Sequence, residues 1–348
     1  VIWVKAGLDR GSVAVAADLA GAVLERRRDV RTVLTFEQAH PEALQRLDGL
    51  NRIGVGFGPS DTVAAVRRTL RRLSPLGVIE IATELRPHLS AALSARRLHH
   101  VVIDCSPCTQ PSPSPEWVLA ARSGQHKLWL GAVEPDELLG PCDPLTLLTE
   151  AQLEPSLRAL TGCDTESPLL WLHGPPADQL ERYLSTWRAM RAGSRPGLLV
   201  ISADGAPARR ALETVLRTVE PGFCSTRSWD RRPLVPGSIM LVDSHHWLPA
   251  VSVACHAALL VDAAPAVCWQ AMAAGAAIIG GPFSESCLPP SGSSAANCLQ
   301  ALFGKVSAVL SSPAQQRRLG DRARREFWRE RRLAAEAMAR LLDRVFEW

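Results

Sequence analysis

The sequence predicts an α/β protein built on parallel sheets, with helices on both faces. Three observations carry this. Short apolar runs alternate with helical segments along most of the chain. The alternation restarts after a punctuated segment at Cys163–Pro168. The length of 348 residues, with 47% hydrophobic and 21% charged residues, suits about two globular domains.

The run Val1–Lys5 predicts a first strand, and Ser12–Arg27 an Ala/Leu helix with an exposed Arg26–Arg28 end. Val30–Phe36 and Ile53–Phe57 are further strands. Ser60–Asp61 is placed as the N-cap of an amphipathic helix, Val63–Leu73. Val78–Ile81 reads as a strand, Arg86–Arg97 as a helix, and His100–Asp104 as the next strand. Ser106–Pro115 is a Pro/Ser loop, and Lys127–Val133 a weaker strand. In the second half the strands are Leu169–His173, Gly197–Ser202, Ser238–Val242, Ala257–Val261 and Ala277–Ile279. Ala177–Arg191, Ala206–Val219, Leu248–Val253 and Ala266–Ala274 read as the helices between them, and Pro313–Trp348 as one or two long helices. Domains are therefore expected at 1–165, 166–312 and 313–348. Two such halves match a pair of facing Rossmann-like domains. Ligands of open parallel sheets bind outside the carboxyl ends of the strands, here in the cleft between the halves.

Several classes are excluded. No stretch approaches ~18 uncharged apolar residues, so no transmembrane helix is expected. The sequence begins at Val1 rather than Met, which leaves open an anchor or signal ahead of it. A net charge of +4 is too mild, and too poor in interleaved aromatics, to point to nucleic acid. Nine cysteines, an odd number in a long chain, fit reduced thiols better than a disulfide framework. Cys105-Ser106-Pro107-Cys108 is the only CxxC, and it has no second pair to make a zinc site. Neither a GxGxxG with a following acid nor a GxxxxGK[ST] is present, and Gly54–Gly58 has the wrong spacing for a phosphate loop. Ser106, Ser244 and Ser252 lack a GxSxG elbow. His245, His246, His256 and Cys255 make a poor metal cluster, because adjacent side chains point to opposite sides. Trp247, Trp269 and Trp328 read as packing residues.

One stretch is specific. Val63–Leu89 reads VAAVRRTLRRLSPLGVIEIATELRPHL. It resembles the 3-deoxy-D-manno-octulosonic acid (Kdo) transferases, which carry an Arg-rich helix, RPD, an apolar strand and ETELWPNL without gaps. Trp3–Ala6 is similar to the family's WIHA, Leu241–Ser244 to LGDT, and Gly275–Pro282 to GKPVLFGP. The resemblance implies the GT-B fold, with acceptor on the first domain, CMP-sugar on the second, and a terminal helix crossing back.

It also implies site residues. The family's general-base glutamate falls here on Gly11 or Ser12, so Asp9 and Glu84 are the candidate catalytic carboxylates. Donor binding is expected from Arg209, Ser244, His245, Gln270 and Gly281, and the acceptor side from Lys5, Arg86 and His88. Asp204 stands where the family has a donor-binding arginine, and Gln270 where it has a ribose-binding glutamate. Arg67, Arg68, Arg71 and Arg72 share a helix face that is either solvated or turned to an anionic membrane. Arg317–Arg332, with Glu326 and Glu330, reads as a solvated, ion-paired helix. The implied activity is metal-independent, cofactor-free, inverting transfer of a sugar from a nucleotide donor of CMP type to a lipid or other hydroxyl acceptor. It would take place in the cytoplasm or on the inner face of a bacterial membrane. The alternative is a catalytically degenerate GT-B protein serving as a binding or partner subunit; a GT-B epimerase is a third reading.

Overall fold

The computed structural model describes residues 1–107, 113–149, 168–191, 197–229, 234–242, 245–280 and 295–348. The chain divides into two compact units, Val1–Leu148 with Arg329–Trp348, and Thr149–Trp328. The boundary expected at 165/166 lies outside the described residues.

Unit 1 is built on β1 (Ile2–Ala6), β2 (Thr32–Phe36), β3 (Ile53–Phe57), β4 (Gly77–Ile81), β5 (His99–Ile103), β6 (Trp117–Leu119) and β7 (Leu138–Leu139). These strands pair in the order β3-β2-β1-β4-β5-β6-β7, parallel throughout. The helices are α1 (Arg10–Arg26), α2 (Pro41–Leu44), α3 (Val63–Leu73), α4 (Pro87–Ala95), α5 (Ser123–Trp129) and α6 (Leu145–Leu148). Every residue of β1 is buried, because helices cover both faces of the sheet. Ile2, Val4 and Ala6 face α1 through Val13, Ala16 and Leu19. Trp3 and Val78 face Val66 and Leu70 of α3 and Leu89 and Leu93 of α4.

Unit 2 is built on β8 (Leu169–His173), β9 (Leu198–Ser202), β10 (Cys224–Ser225), β11 (Ile239–Leu241), β12 (Ala257–Leu260) and β13 (Ile278–Gly280). Their order is β10-β11-β9-β8-β12-β13, again parallel. Its helices are α7 (Leu180–Arg191), α8 (Ala206–Val219), α9 (Leu248–Ala254), α10 (Pro265–Ala274) and α11 (Ala295–Leu310). The last helix, α12 (Pro313–Phe346), is a single element of 34 residues that runs from unit 2 into unit 1. Ala334, Ala337, Leu341 and Val345 recur on one face of it and complete the unit 1 core.

Three local expectations need correction. Lys127–Val133 is not a strand: α5 occupies Ser123–Trp129, and only a Leu130–Val133 bridge follows. Gln125 Oε1 accepts from the Ala121 and Arg122 amides at the helix start, and the buried Trp129 indole donates to the Cys105 carbonyl at 2.9 Å. The N-cap of α3 is Thr62, whose hydroxyl accepts from Ala65, rather than Ser60–Asp61. The charges of α12 are not all solvated: Glu330 accepts from the Asp143 amide and Arg331 donates to the Thr146 carbonyl.

Candidate functional site

Each sheet reverses its strand order beside its first strand, at β1/β4 in unit 1 and β8/β12 in unit 2. Such reversals open the loops at the carboxyl ends and are the default ligand positions of open parallel sheets. Both are built in the same way. A Cβ at Gly7, just past β1, would collide with the Ala82 carbonyl oxygen past β4. A Cβ at Gly174, just past β8, would collide with the Asp262 carbonyl oxygen past β12, and Gly174 also has φ +68°. A glycine thus lets two loop backbones touch at each reversal.

In unit 1 the β4–α4 loop carries Glu84, Arg86 and His88. Glu84 is exposed, and its carboxylate has no hydrogen bond or ion pair among the described residues. Arg86 is half-buried and tied back to Glu37 and the Pro59 carbonyl. His88 is exposed in the first turn of α4. Asp9 is the N-cap of α1, with Oδ1 accepting from the Ser12 amide at 2.9 Å, so this carboxylate is already engaged.

Lys5 sits elsewhere. It is buried and paired with Glu80 at 2.7 Å, and Thr83 and His100 also reach that carboxylate, at 3.2 and 3.0 Å. Burial alone would raise the pKa of Glu80, but the His100 hydrogen bond and the Lys5 charge outweigh it and hold it below the usual carboxylate range. This network belongs to the interior of the sheet, so Lys5 holds the strands together rather than presenting an ammonium to a ligand.

Sequence reasoning missed Asp104, which closes β5 with φ +54°. Burial, and after it the charges of Asp143 and Asp9, push its carboxyl up to about 6, against the Gln125 hydrogen bond; Oδ1 is covered and has no partner. The one sequence signal was an aspartate closing the apolar run before it. Cys105 next to it is buried, and burial pushes its thiol up to about 12, so it is inert. Cys108 lies outside the described residues.

In unit 2, Arg209 is half-buried in the first turn of α8, and Gln270 is half-buried on α10. Ser244, Gly281 and the side chain of His245 lie outside the described residues. Asp204, at the end of β9, is bound within the unit. Its Oδ2 accepts from the Ala264 amide at the start of α10 and lies 3.3 Å from His173 Nε2. His256 Nδ1 accepts from the Leu169 amide, a packing role. Among the described residues no group of three or more His, Cys, Asp or Glu could hold a metal ion, and no helix is long and apolar enough to cross a membrane.

Residues 1–106 match the family described as 3-deoxy-D-manno-octulosonic-acid transferase (kdotransferase). No curated protein matches the chain in sequence. Solved structures match over nearly its whole length at low identity. A glycosyltransferase from Rickettsia africae is 11% identical with a TM-score of 0.62, over 99% of this chain and 98% of that one. A putative UDP-N-acetylglucosamine 2-epimerase from Listeria monocytogenes is 12% identical with a TM-score of 0.59, over 92% and 90%. A UDP-GlcNAc 2-epimerase from Neisseria meningitidis, bound to UDP-GlcNAc, is 12% identical with a TM-score of 0.55, over 92% and 94%. At such identities the structures establish the fold. The chain thus has the two parallel α/β units of the GT-B fold, and its residues 1–106 are similar to the Kdo transferases.

Proposed function

We propose that the chain is a glycosyltransferase that moves a sugar from a nucleotide donor on unit 2 to a hydroxyl acceptor on unit 1. The match of residues 1–106 to a transferase family carries this reading. Glu84 is the base, in preference to Asp9, because its carboxylate is exposed and uncommitted while Asp9 caps α1. The acceptor hydroxyl oxygen attacks the anomeric carbon as the bond to the donor phosphate breaks. The hydroxyl proton passes to Glu84, and single displacement inverts the centre. Arg209, Gln270, Ser244, His245 and Gly281 serve the donor, and Arg86 and His88 the acceptor. The exposed Arg67, Arg68, Arg71 and Arg72 on α3 suit an anionic lipid acceptor at a membrane surface.

The test is thermal shift with millimolar CMP, UDP and GDP, followed by turnover of the corresponding sugars. One nucleotide should stabilise the fold. Glu84→Gln should then lower kcat by ~10²–10⁴-fold and leave the nucleotide shift in place. A folded chain that responds to no nucleotide overturns the proposal and turns the search to a partner-subunit role. The engaged Asp9 and buried Lys5 favour that second reading.

A further inference from the structure

The loop that leaves β4 turns at an unusual residue. Ala82 has φ +46°, in the left-handed region that an alanine adopts only where its surroundings impose it. The chain on either side holds that backbone. The Ala82 amide donates to the Ile103 carbonyl at the end of β5 at 2.8 Å, and the Gly7 amide past β1 donates to the Ile81 carbonyl at 3.0 Å.

Beyond the turn, burial alternates. Thr83 and Leu85 are 5% and 4% exposed, and Glu84 between them is open to solvent. Leu85 packs with Val102, Cys105 and Trp129. Arg86 is tied to Glu37 and to the Pro59 carbonyl. Thr83 turns inward to the buried Lys5–Glu80 pair. Its hydroxyl donates to Glu80 Oε2 at 3.2 Å, the same oxygen that Lys5 Nζ reaches at 2.7 Å. Lys5, Glu80 and His100 meet because they lie on neighbouring strands; Thr83 lies past the strand and joins them from the loop. Glu80 is a constant acceptor, because the His100 bond and the Lys5 charge keep it ionised although it is fully buried. A hydrogen bond to such a carboxylate is roughly twice as strong as one to a neutral acceptor.

The loop is therefore fastened at Thr83, Leu85 and Arg86, and Glu84 is the one side chain among them left uncommitted. We propose that Thr83 is a positioning residue: through Glu80 and Lys5 it pins the β4–α4 loop to the sheet interior and holds the Glu84 carboxylate in one place for the acceptor hydroxyl. This rests on Glu84 as the base. A base acts only within hydrogen-bond reach of the proton it takes, and an exposed glutamate on a loose loop would spend most of its time elsewhere. Anchoring its neighbours instead of the carboxylate itself keeps Glu84 both aimed and free to accept a proton.

Amide relaxation by NMR on the full chain tests this without a substrate. The Glu84 amide of wild type should have an order parameter near ~0.85, as rigid backbone does, and Thr83→Val should bring it below ~0.6. Thr83→Ser should keep the wild-type value. A packing role would give the opposite order, since valine keeps the methyl bulk that serine loses, and Thr83→Ala carries the expectation of Thr83→Val should the valine variant fold poorly. A wild-type Glu84 amide already below ~0.6, or a folded Thr83→Val that matches wild type, overturns the proposal. Turnover of the nucleotide sugar selected by thermal shift is the second readout. Thr83→Val should lower kcat by ~10–10²-fold with KM for the donor unchanged, and Thr83→Ser should remain near wild type. Full kcat in Thr83→Val overturns the positioning role, while the base reading still stands or falls on Glu84→Gln. A rigid Glu84 amide that Thr83→Val loosens, in a chain that transfers no sugar, upholds the anchor and refutes the transferase reading.

Discussion

Removing the Glu80 carboxylate would leave the Lys5 ammonium buried with its counter-ion gone. Breaking a buried pair from one side costs ~3–5 kcal/mol. Glu80→Gln should therefore lower the denaturant midpoint steeply, with a loss in that range. The pH dependence has a definite sign. The folded pKa of Glu80 lies below its ordinary value, so its stabilisation is present above ~4.3 and fades as pH falls through the folded value. The gap between wild type and Glu80→Gln should thus be full at pH 7 and narrow below pH 4; a gap that widens toward acid would contradict the pairing. At this scale the sequence was an uneven guide. It offered Lys5 for the acceptor side because a lysine on a strand does not announce its partner 75 positions away. It offered Asp9 as a candidate base but could not show that the helix behind it engages its Oδ1. Asp104 went unread because burial and neighbouring acids, which set its acidity, exist only after folding.

The strands and most helices were legible because runs such as Leu169–His173 and Leu198–Ser202 are apolar at all but their last position, which only a sheet covered on both faces tolerates. Short elements were not. The two-residue β7 and four-residue α6 have too few positions to show a period. In α5, Trp129 and its bond to Cys105 decide a segment whose pattern alone is ambiguous. The glycines at the two sheet reversals give a test at this level. Gly7→Ala and Gly174→Ala each place a methyl on a backbone carbonyl that cannot swing aside. Both should lower Tm well beyond the ~1 kcal/mol of an ordinary glycine substitution, with Gly174→Ala also forcing an alanine to φ +68°. Thermal unfolding reads this directly, and a near-neutral variant would show that the loops can part.

Across the whole molecule, the sequence made the two α/β halves and a helical end legible, because the apolar pattern restarts and the terminal segment is arginine-rich and helical, while its return to the first unit was implied only by the family resemblance. It could not show that this helix closes a core founded more than 300 residues earlier, at Ile2 and Val4. Leu341 is fully buried there. Leu341→Ala should cost ~2–5 kcal/mol and, in hydrogen exchange, should loosen β1 and α1 while leaving β8 and β9 protected. Equal loosening of both units would mean that they unfold as one.

The same helix constrains how the chain is made. Unit 2 is inserted between the two parts of unit 1, so Arg329 leaves the ribosome 181 residues after Leu148. At ~5–20 residues per second, that interval is roughly 9–36 s. Through it, the β1–α1 layer waits without Ala334, Leu341 and Val345, while the described strands of unit 2 are made one after another and completed at Gly280. The later domain is therefore the first that can be completed, and the earlier one stands open to chaperones until translation of the returning helix closes it.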